Sequence, residues 1–165
     1  MLERFFPDRE EDSSYNIDYE GLYAKGMRGI IFDIDNTLVP HGAPADDRAV
    51  RLFARLKELG FQTILLSNNK EPRVKMFADA VGSKYIYKAG KPGREGYRKA
   101  MEKMATTPEN TLFVGDQLFT DVWGAKRTGI SNILVKPIHP KEEIQIVLKR
   151  YLEQIVLYFY HRKRA

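Results

Sequence analysis

A chain of 165 residues has the size of one domain built on one core, and its 43% apolar and 30% charged residues are ordinary for a soluble globular protein. The absence of cysteine excludes disulfides and thiolate metal sites, and it suits a cytoplasmic setting. The net charge of +5 is unevenly spread: residues 1–27 carry seven acids against three bases, residues 70–103 ten bases against four acids, and residues 136–165 seven bases against three acids.

The first 27 residues turn acidic at once and hold no apolar stretch of signal-peptide length. They show five aromatics (Phe5, Phe6, Tyr15, Tyr19 and Tyr23) but no clear strand pattern, and they read as an arm packed over the domain that follows, 28–165. Short apolar runs rich in β-branched residues then mark five strands: Arg28–Asp35, Phe61–Ser67, Lys84–Tyr87, Thr111–Gly115 and Asn132–Val135. Helix-period stretches lie between them. Asp47–Leu59 is preceded by a capping pair, Asp46 and Asp47, and is closed by Gly60; Glu71–Val81 is closed by Gly82. Strands alternating with helices of this length predict βαβ units, a doubly wound parallel sheet and a three-layer α/β sandwich. A last helix spans about 140–160, with Pro140 at its first turn and Glu142 and Glu143 at the positive end of its dipole. Its stripe of Ile144, Leu148, Tyr151, Leu152, Ile155 and Phe159 reads as core-facing. The longest apolar run there is six residues, Ile155–Tyr160, where crossing a bilayer takes roughly 20, so no transmembrane segment is expected.

In an open parallel sheet, ligands bind at the carboxyl ends of the strands. The polar residues at those ends are Asp33 and Asp35, then Ser67-Asn68-Asn69, then Gly115-Asp116, with Lys91 four residues after the third strand. Three carboxylates brought together are unfavourable unless a cation neutralises them, and oxygen ligands without cysteine or histidine select Mg2+ over zinc. Ser67 and Lys91 suit phosphoryl oxygens, and spare N–H groups after Asp33 suit an anion. Every member fits phosphoryl transfer, in which catalysis is mainly positioning and charge stabilisation.

The ordered motifs Asp33-x-Asp35-x-Thr37-Leu38, Ser67, Lys91-Pro92 and Gly115-Asp116-x4-Asp121 resemble those of the haloacid dehalogenase (HAD) superfamily over residues 28 to about 135. The resemblance implies a HAD-like Rossmannoid sheet ordered 5-4-1-2-3 and a phosphatase. It implies Asp33 as the nucleophile that forms an aspartyl-phosphate, and Asp35 as acid and then base. Asp33, the carbonyl of Asp35 and Asp116 would hold the metal. Ser67, Asn68 and Lys91 would bind the phosphoryl group, with Thr37 and Asp121 behind them. Only 27 residues separate Asp35 from Thr63, and 23 separate Ser67 from Lys91. Neither interval holds a cap domain, so the chain reads as capless and suited to a bulky substrate.

The wording around the motifs, including Ser67-Asn68-Asn69-x-Glu71-x-Arg73-Val74 and Gly115-Asp116-Gln117-Leu118, is similar to the subclass III phosphatases of the YqeG type, whose relatives are phosphatidylglycerophosphate phosphatases. This implies a phosphate-ester substrate that is an anionic phospholipid, met at the inner face of the membrane. Alternatives are a soluble sugar or nucleotide phosphate, a phosphorylated macromolecule, and two non-enzymes: a phospho-receiver or a nucleic-acid or ribosome-associated binder. Receivers place their phosphoacceptor on a later strand, and no aromatic-basic RNA motif is seen. Nothing in the sequence fixes the oligomeric state.

Overall fold

The computed structural model describes residues 1–139 and 144–165, the last segment without the side chains of 144–146. Six strands form one parallel sheet: β1 (Arg9–Glu11), β2 (Gly29–Phe32), β3 (Gln62–Leu66), β4 (Lys84–Ile86), β5 (Thr111–Gly115) and β6 (Ser131–Val135). Their order is β1-β6-β5-β2-β3-β4. Without β1 this is the 5-4-1-2-3 order that the resemblance implies. The central β2 and β5 are buried along their whole length, which is why they read as continuous apolar runs rather than alternating ones.

The period of two in each strand sorts its side chains between the two faces. Ile30, Phe32, Leu65, Leu112 and Val114 point to one side, where they pack under α1 (Tyr19–Ala24), α2 (Asp47–Leu59) and α3 (Glu71–Val81). Ile31, Ile64, Leu66 and Phe113 point to the other, under α4 (Arg94–Met104) and α5 (Trp123–Arg127). The helix stops fall where the glycines predict: Gly60 has φ 104° and Gly82 φ 70°, a left-handed conformation that glycine adopts without steric cost. Asp46 caps α2, accepting from the Ala49 N–H at 2.9 Å. Only α2 stands between β2 and β3, and only α3 between β3 and β4, so no cap domain is inserted at either place.

Two features differ from the sequence reading. Residues 1–27 do not simply lie over the domain; they supply the sixth strand. Arg9–Glu11 pairs in parallel with Ile133–Val135, and the entry is fixed by Asp8 and Asn132, which exchange three hydrogen bonds of 3.0 Å. A three-residue edge strand of Arg-Glu-Glu carries no apolar alternation, so its pairing rests on backbone and this side-chain clamp. The segment is also tied down further along, where Ser14 Oγ donates to Thr37 O at 2.8 Å and Tyr19 is fully buried.

The second difference concerns the last helix, α6 (Ile144–Arg164). Its predicted start, with Pro140, Glu142 and Glu143, lies outside the described residues. Its predicted core stripe faces outward: Leu148, Tyr151, Leu152, Ile155 and Phe159 are exposed, whereas Glu153, Val156 and Tyr160 are buried. The side that docks is the one that meets Leu118, Val122 and Leu134 while placing Glu153 within reach of a backbone N–H. A polar anchor thus decides which of two partly apolar faces turns inward.

Candidate active site

The residues expected at the strand ends do converge at the carboxyl edge of the sheet. β2 stops at Phe32, and the Asp33 N–H continues the ladder by donating to Val114 O at 3.0 Å. The chain then turns sharply. Asn36, at φ 61°, donates its N–H to Val39 O, while Thr37 and Leu38 both donate to Ile34 O. The turn therefore uses three of the N–H groups expected to receive an anion, and those of Ile34 and Asp35 are left without a backbone partner among the described residues.

Asp33, Lys91, Asp116 and Asp121 are each at most 7% exposed and form one buried charged cluster. Lys91 Nζ donates to Asp33 Oδ1 at 3.0 Å and to Asp121 Oδ1 at 2.7 Å. The other oxygen of Asp121 accepts the N–H groups of Asp116 and Gln117, both at 3.2 Å. A π-type turn over Leu118–Val122 swings Asp121 back to the end of β5, and such turns occur often at functional sites. Gly115 leaves the room for this: a Cβ there would stand 2.4 Å from Asp121 Oδ2.

One oxygen each of Asp33, Asp116 and Asp121 lies within 4.8 Å of the others, a spacing that one cation could span. The donor set is all oxygen, which fits a hard divalent ion. Electrostatics points the same way. Burial raises the pKa of Asp33 well above the ordinary carboxylate range; Lys91 opposes this, and Asp121 and Asp116 add to it. Burial and Asp121 likewise lift Asp116 to about 6, against the pull of Arg150 and Thr37. Burial would push Lys91 down, but Asp121 and Asp33 outweigh it and hold the ammonium protonated. Three carboxylates face two cations, Lys91 on Asp33 and Asp121 and Arg150 on Asp116, and so remain short of positive charge.

The remaining predicted residues are placed around this cluster. Thr37 Oγ1 donates to Asp116 Oδ1 at 2.9 Å. Ser67 is buried, and its Oγ accepts the Asn69 N–H at 3.1 Å, which leaves the hydroxyl proton for another acceptor. The Asn68 amide is clamped on the Lys91 backbone, donating to its carbonyl at 3.1 Å and accepting its N–H at 2.8 Å. The Asp35 carboxylate accepts the Gly42 N–H at 2.7 Å and Arg73 Nη2 at 3.0 Å. Burial works to raise its pKa, but these partners prevail and hold it below the usual range.

Three contributors were not singled out as site residues in the sequence. Arg73, from α3, reaches Asp35, and its Nε and Nη1 are buried with no hydrogen-bond partner among the described residues. Arg150, from α6, donates to Asp116 O at 2.6 Å and pairs with its carboxylate. Glu153 accepts Arg150 at 3.0 Å and the Leu118 N–H at 3.0 Å. Arg150 lies 34 residues from Asp116 in sequence and Arg73 38 from Asp35, so no local spacing signals either contact. A cleft of ≈ 730 Å³ between the β1–β6 side of the sheet and α6 leads to Asp116, Arg150 and Glu153.

The haloacid dehalogenase-like hydrolase family matches residues 41–129, a span that holds Ser67, Lys91, Asp116 and Asp121 and begins just after Asp33 and Asp35. The chain is 38% identical to "Probable phosphatase YqeG" of Bacillus subtilis, over 99% of this chain and 96% of that protein. It is 29% identical to "Phosphatidylglycerophosphate phosphatase 1, chloroplastic/mitochondrial" of Arabidopsis thaliana, over 89% of this chain and 45% of the plant protein. Among solved structures, the deoxy-D-mannose-octulosonate 8-phosphate phosphatase of Haemophilus influenzae superposes with a TM-score of 0.52 at 14% identity, over 81% of this chain and 89% of that one. That last likeness concerns the fold.

Proposed function

The chain belongs to the haloacid dehalogenase-like hydrolases and is a phosphatase, and from that premise we propose that it hydrolyses the phosphate monoester of phosphatidylglycerophosphate through an aspartyl-phosphate on Asp33, with Mg2+ as cofactor. The observation that carries the chemistry is the buried cluster of Asp33, Lys91, Asp116 and Asp121 beside Ser67 at one sheet edge.

Asp33 stands at the end of β2, where its carboxylate oxygen can form a bond to phosphorus as the ester oxygen leaves. Lys91, fixed by the Asn68 clamp, and the free hydroxyl proton of Ser67 neutralise the phosphoryl oxygens. Asp35 rests ionised, held so by Gly42 and Arg73. A phosphate dianion seated beside it raises its pKa by like-charge repulsion, which loads it with the proton that the leaving alkoxide takes. Once ionised again, Asp35 draws a proton from the water that attacks the phosphoryl group and frees Asp33. Asp33, Asp116 and the carbonyl of Asp35 would hold Mg2+, with Asp121 orienting Lys91. When bound, the ion supplies the positive charge that the three carboxylates lack and steadies the phosphoryl oxygens.

Three features support the lipid substrate: the plant relative's name, the lack of a cap insertion between β2 and β3 or between β3 and β4, and the basic stretch of residues 70–103. The test is phosphate release from phosphatidylglycerophosphate in mixed micelles, set against soluble sugar and nucleotide phosphates. Preferred turnover of the lipid is expected. Turnover of soluble esters with none of the lipid would remove this substrate and leave the phosphatase.

A further inference from the structure

α6 turns two unlike faces to its surroundings. One packs on the protein, with Val156 and Tyr160 buried and Arg150 and Glu153 reaching Asp116 and Leu118. The other presents Leu148, Tyr151, Leu152, Ile155, Tyr158 and Phe159, each 47–70% exposed. These positions recur at three- and four-residue intervals, so they form one stripe along the helix. A scattered exposed leucine needs no explanation, but a contiguous row of large apolar and aromatic side chains marks a contact surface.

Charge decides what the surface meets. From residue 147 to 165 the bases are Lys149, Arg150, Arg162, Lys163 and Arg164, and the single acid is Glu153. Glu153 is buried and paired with Arg150, so every exposed charged side chain of residues 147–165 is basic, with Lys149 towards one end of the stripe and Arg162, Lys163 and Arg164 beyond the other. A second copy of α6 laid parallel on this stripe would oppose the bases at 162–164 with their own copies. Nearby acids of the N-terminal segment are already engaged, Glu3 with Lys163 and Glu10 with His161. An anionic phospholipid surface offers both apolar depth and negative charge, and tyrosines suit the boundary between them.

We propose that α6 is a docking face that lies on an anionic phospholipid surface. The proposal rests on the lipid reading above only for the identity of the substrate. The same helix carries Arg150, bonded to Asp116, so a docked α6 holds the carboxyl edge of the sheet beside the headgroup layer.

The experiment is flotation of the full chain on vesicles of phosphatidylcholine alone and of phosphatidylcholine with phosphatidylglycerol, at low and high salt. It is run beside a triple variant (Leu152→Gln, Ile155→Gln, Phe159→Gln) and a double variant (Lys149→Glu, Arg162→Glu). Turnover of p-nitrophenyl phosphate, a soluble ester, reports an intact fold, and sedimentation reports mass. The native chain is expected on anionic vesicles at least about tenfold more than on neutral ones, with binding weakened by salt and about tenfold weaker in each variant. Soluble turnover should be unchanged. No binding by the native chain, or variants that bind as it does, would overturn the proposal. So would a dimer broken by the triple variant without any vesicle binding, which would assign the stripe to a second copy. Vesicle binding without hydrolysis of phosphatidylglycerophosphate leaves the docking face standing and removes the substrate; hydrolysis in micelles without vesicle binding does the reverse.

Discussion

At the scale of single residues, the site depends on room as much as on charge. Gly115→Ala would drive a methyl group into the Asp121 carboxylate and the Phe113 ring, at 2.4 and 2.7 Å. Asp121 must then move, and with it Lys91. Turnover should fall by about 100-fold, the scale of a 1 Å misplacement near the chemistry, with far less change in thermal stability; kinetics and a melting curve on the same sample check both. Arg73→Gln should raise the pKa of Asp35, because the guanidinium at 3.0 Å is one of the partners that hold it low; a carboxyl-carbon NMR titration reads the shift directly. The strand-end residues Asp33, Ser67 and Asp116 are legible in the sequence because an apolar run that stops at a polar side chain marks the ligand-binding edge of a parallel sheet, and Lys91 because it follows the third predicted strand, Lys84–Tyr87, by four residues. Arg73 and Arg150 are not, because each meets its partner only after whole elements have packed.

At the scale of elements, α6 joins the site to the periphery of the fold through a part-buried Arg150–Glu153 pair. Burial lifts Glu153 to about 7 from an ordinary 4.5, while Arg150 and the Leu118 N–H oppose it. A carboxyl whose folded pKa is raised adds stability below its unfolded pKa and loses it as the pH rises through the folded one. The native chain should therefore lose thermal stability from this source between about pH 4.5 and 7. Glu153→Gln keeps an oxygen for the Leu118 N–H and should flatten that stretch of the curve of melting temperature against pH. The helix itself is legible from its period, but its inward face is not. Periodicity reports that one side is apolar; it cannot report that the core prefers the side bearing a glutamate which satisfies a backbone N–H. The edge strand Arg9–Glu11 escapes notice for a related reason, since its pairing is carried by backbone and by the Asp8–Asn132 clamp.

At the scale of the whole molecule, the fold concentrates unmatched negative charge at one edge and compensates it only in part. A divalent ion that binds the folded chain alone should stabilise it by about 2.7 kcal/mol at a free concentration 100 times its Kd. Addition of Mg2+ should thus raise the melting temperature of the native chain and do so less for Asp116→Asn; a chelator should abolish turnover and Mg2+ should restore it. The parallel α/β layering of β2 to β6 was within reach of the sequence because apolar β-branched runs alternate with capped, glycine-stopped helices, but the strand order followed only from the family resemblance, since alternation does not say which strands are neighbours. The missing cap was equally readable from interval lengths. The stripe on α6 was readable too, but its outward direction was not, and that direction gives the molecule a second working surface beside the first.

Turnover by Asp33→Asn in the presence of Mg2+ decides whether Asp33 is the nucleophile. The amide preserves the shape of the side chain and an acceptor for Lys91 but cannot form the phosphoryl bond. The expected result is a folded protein whose activity is lower by at least about a thousandfold. Activity near that of the native chain would contradict the assignment.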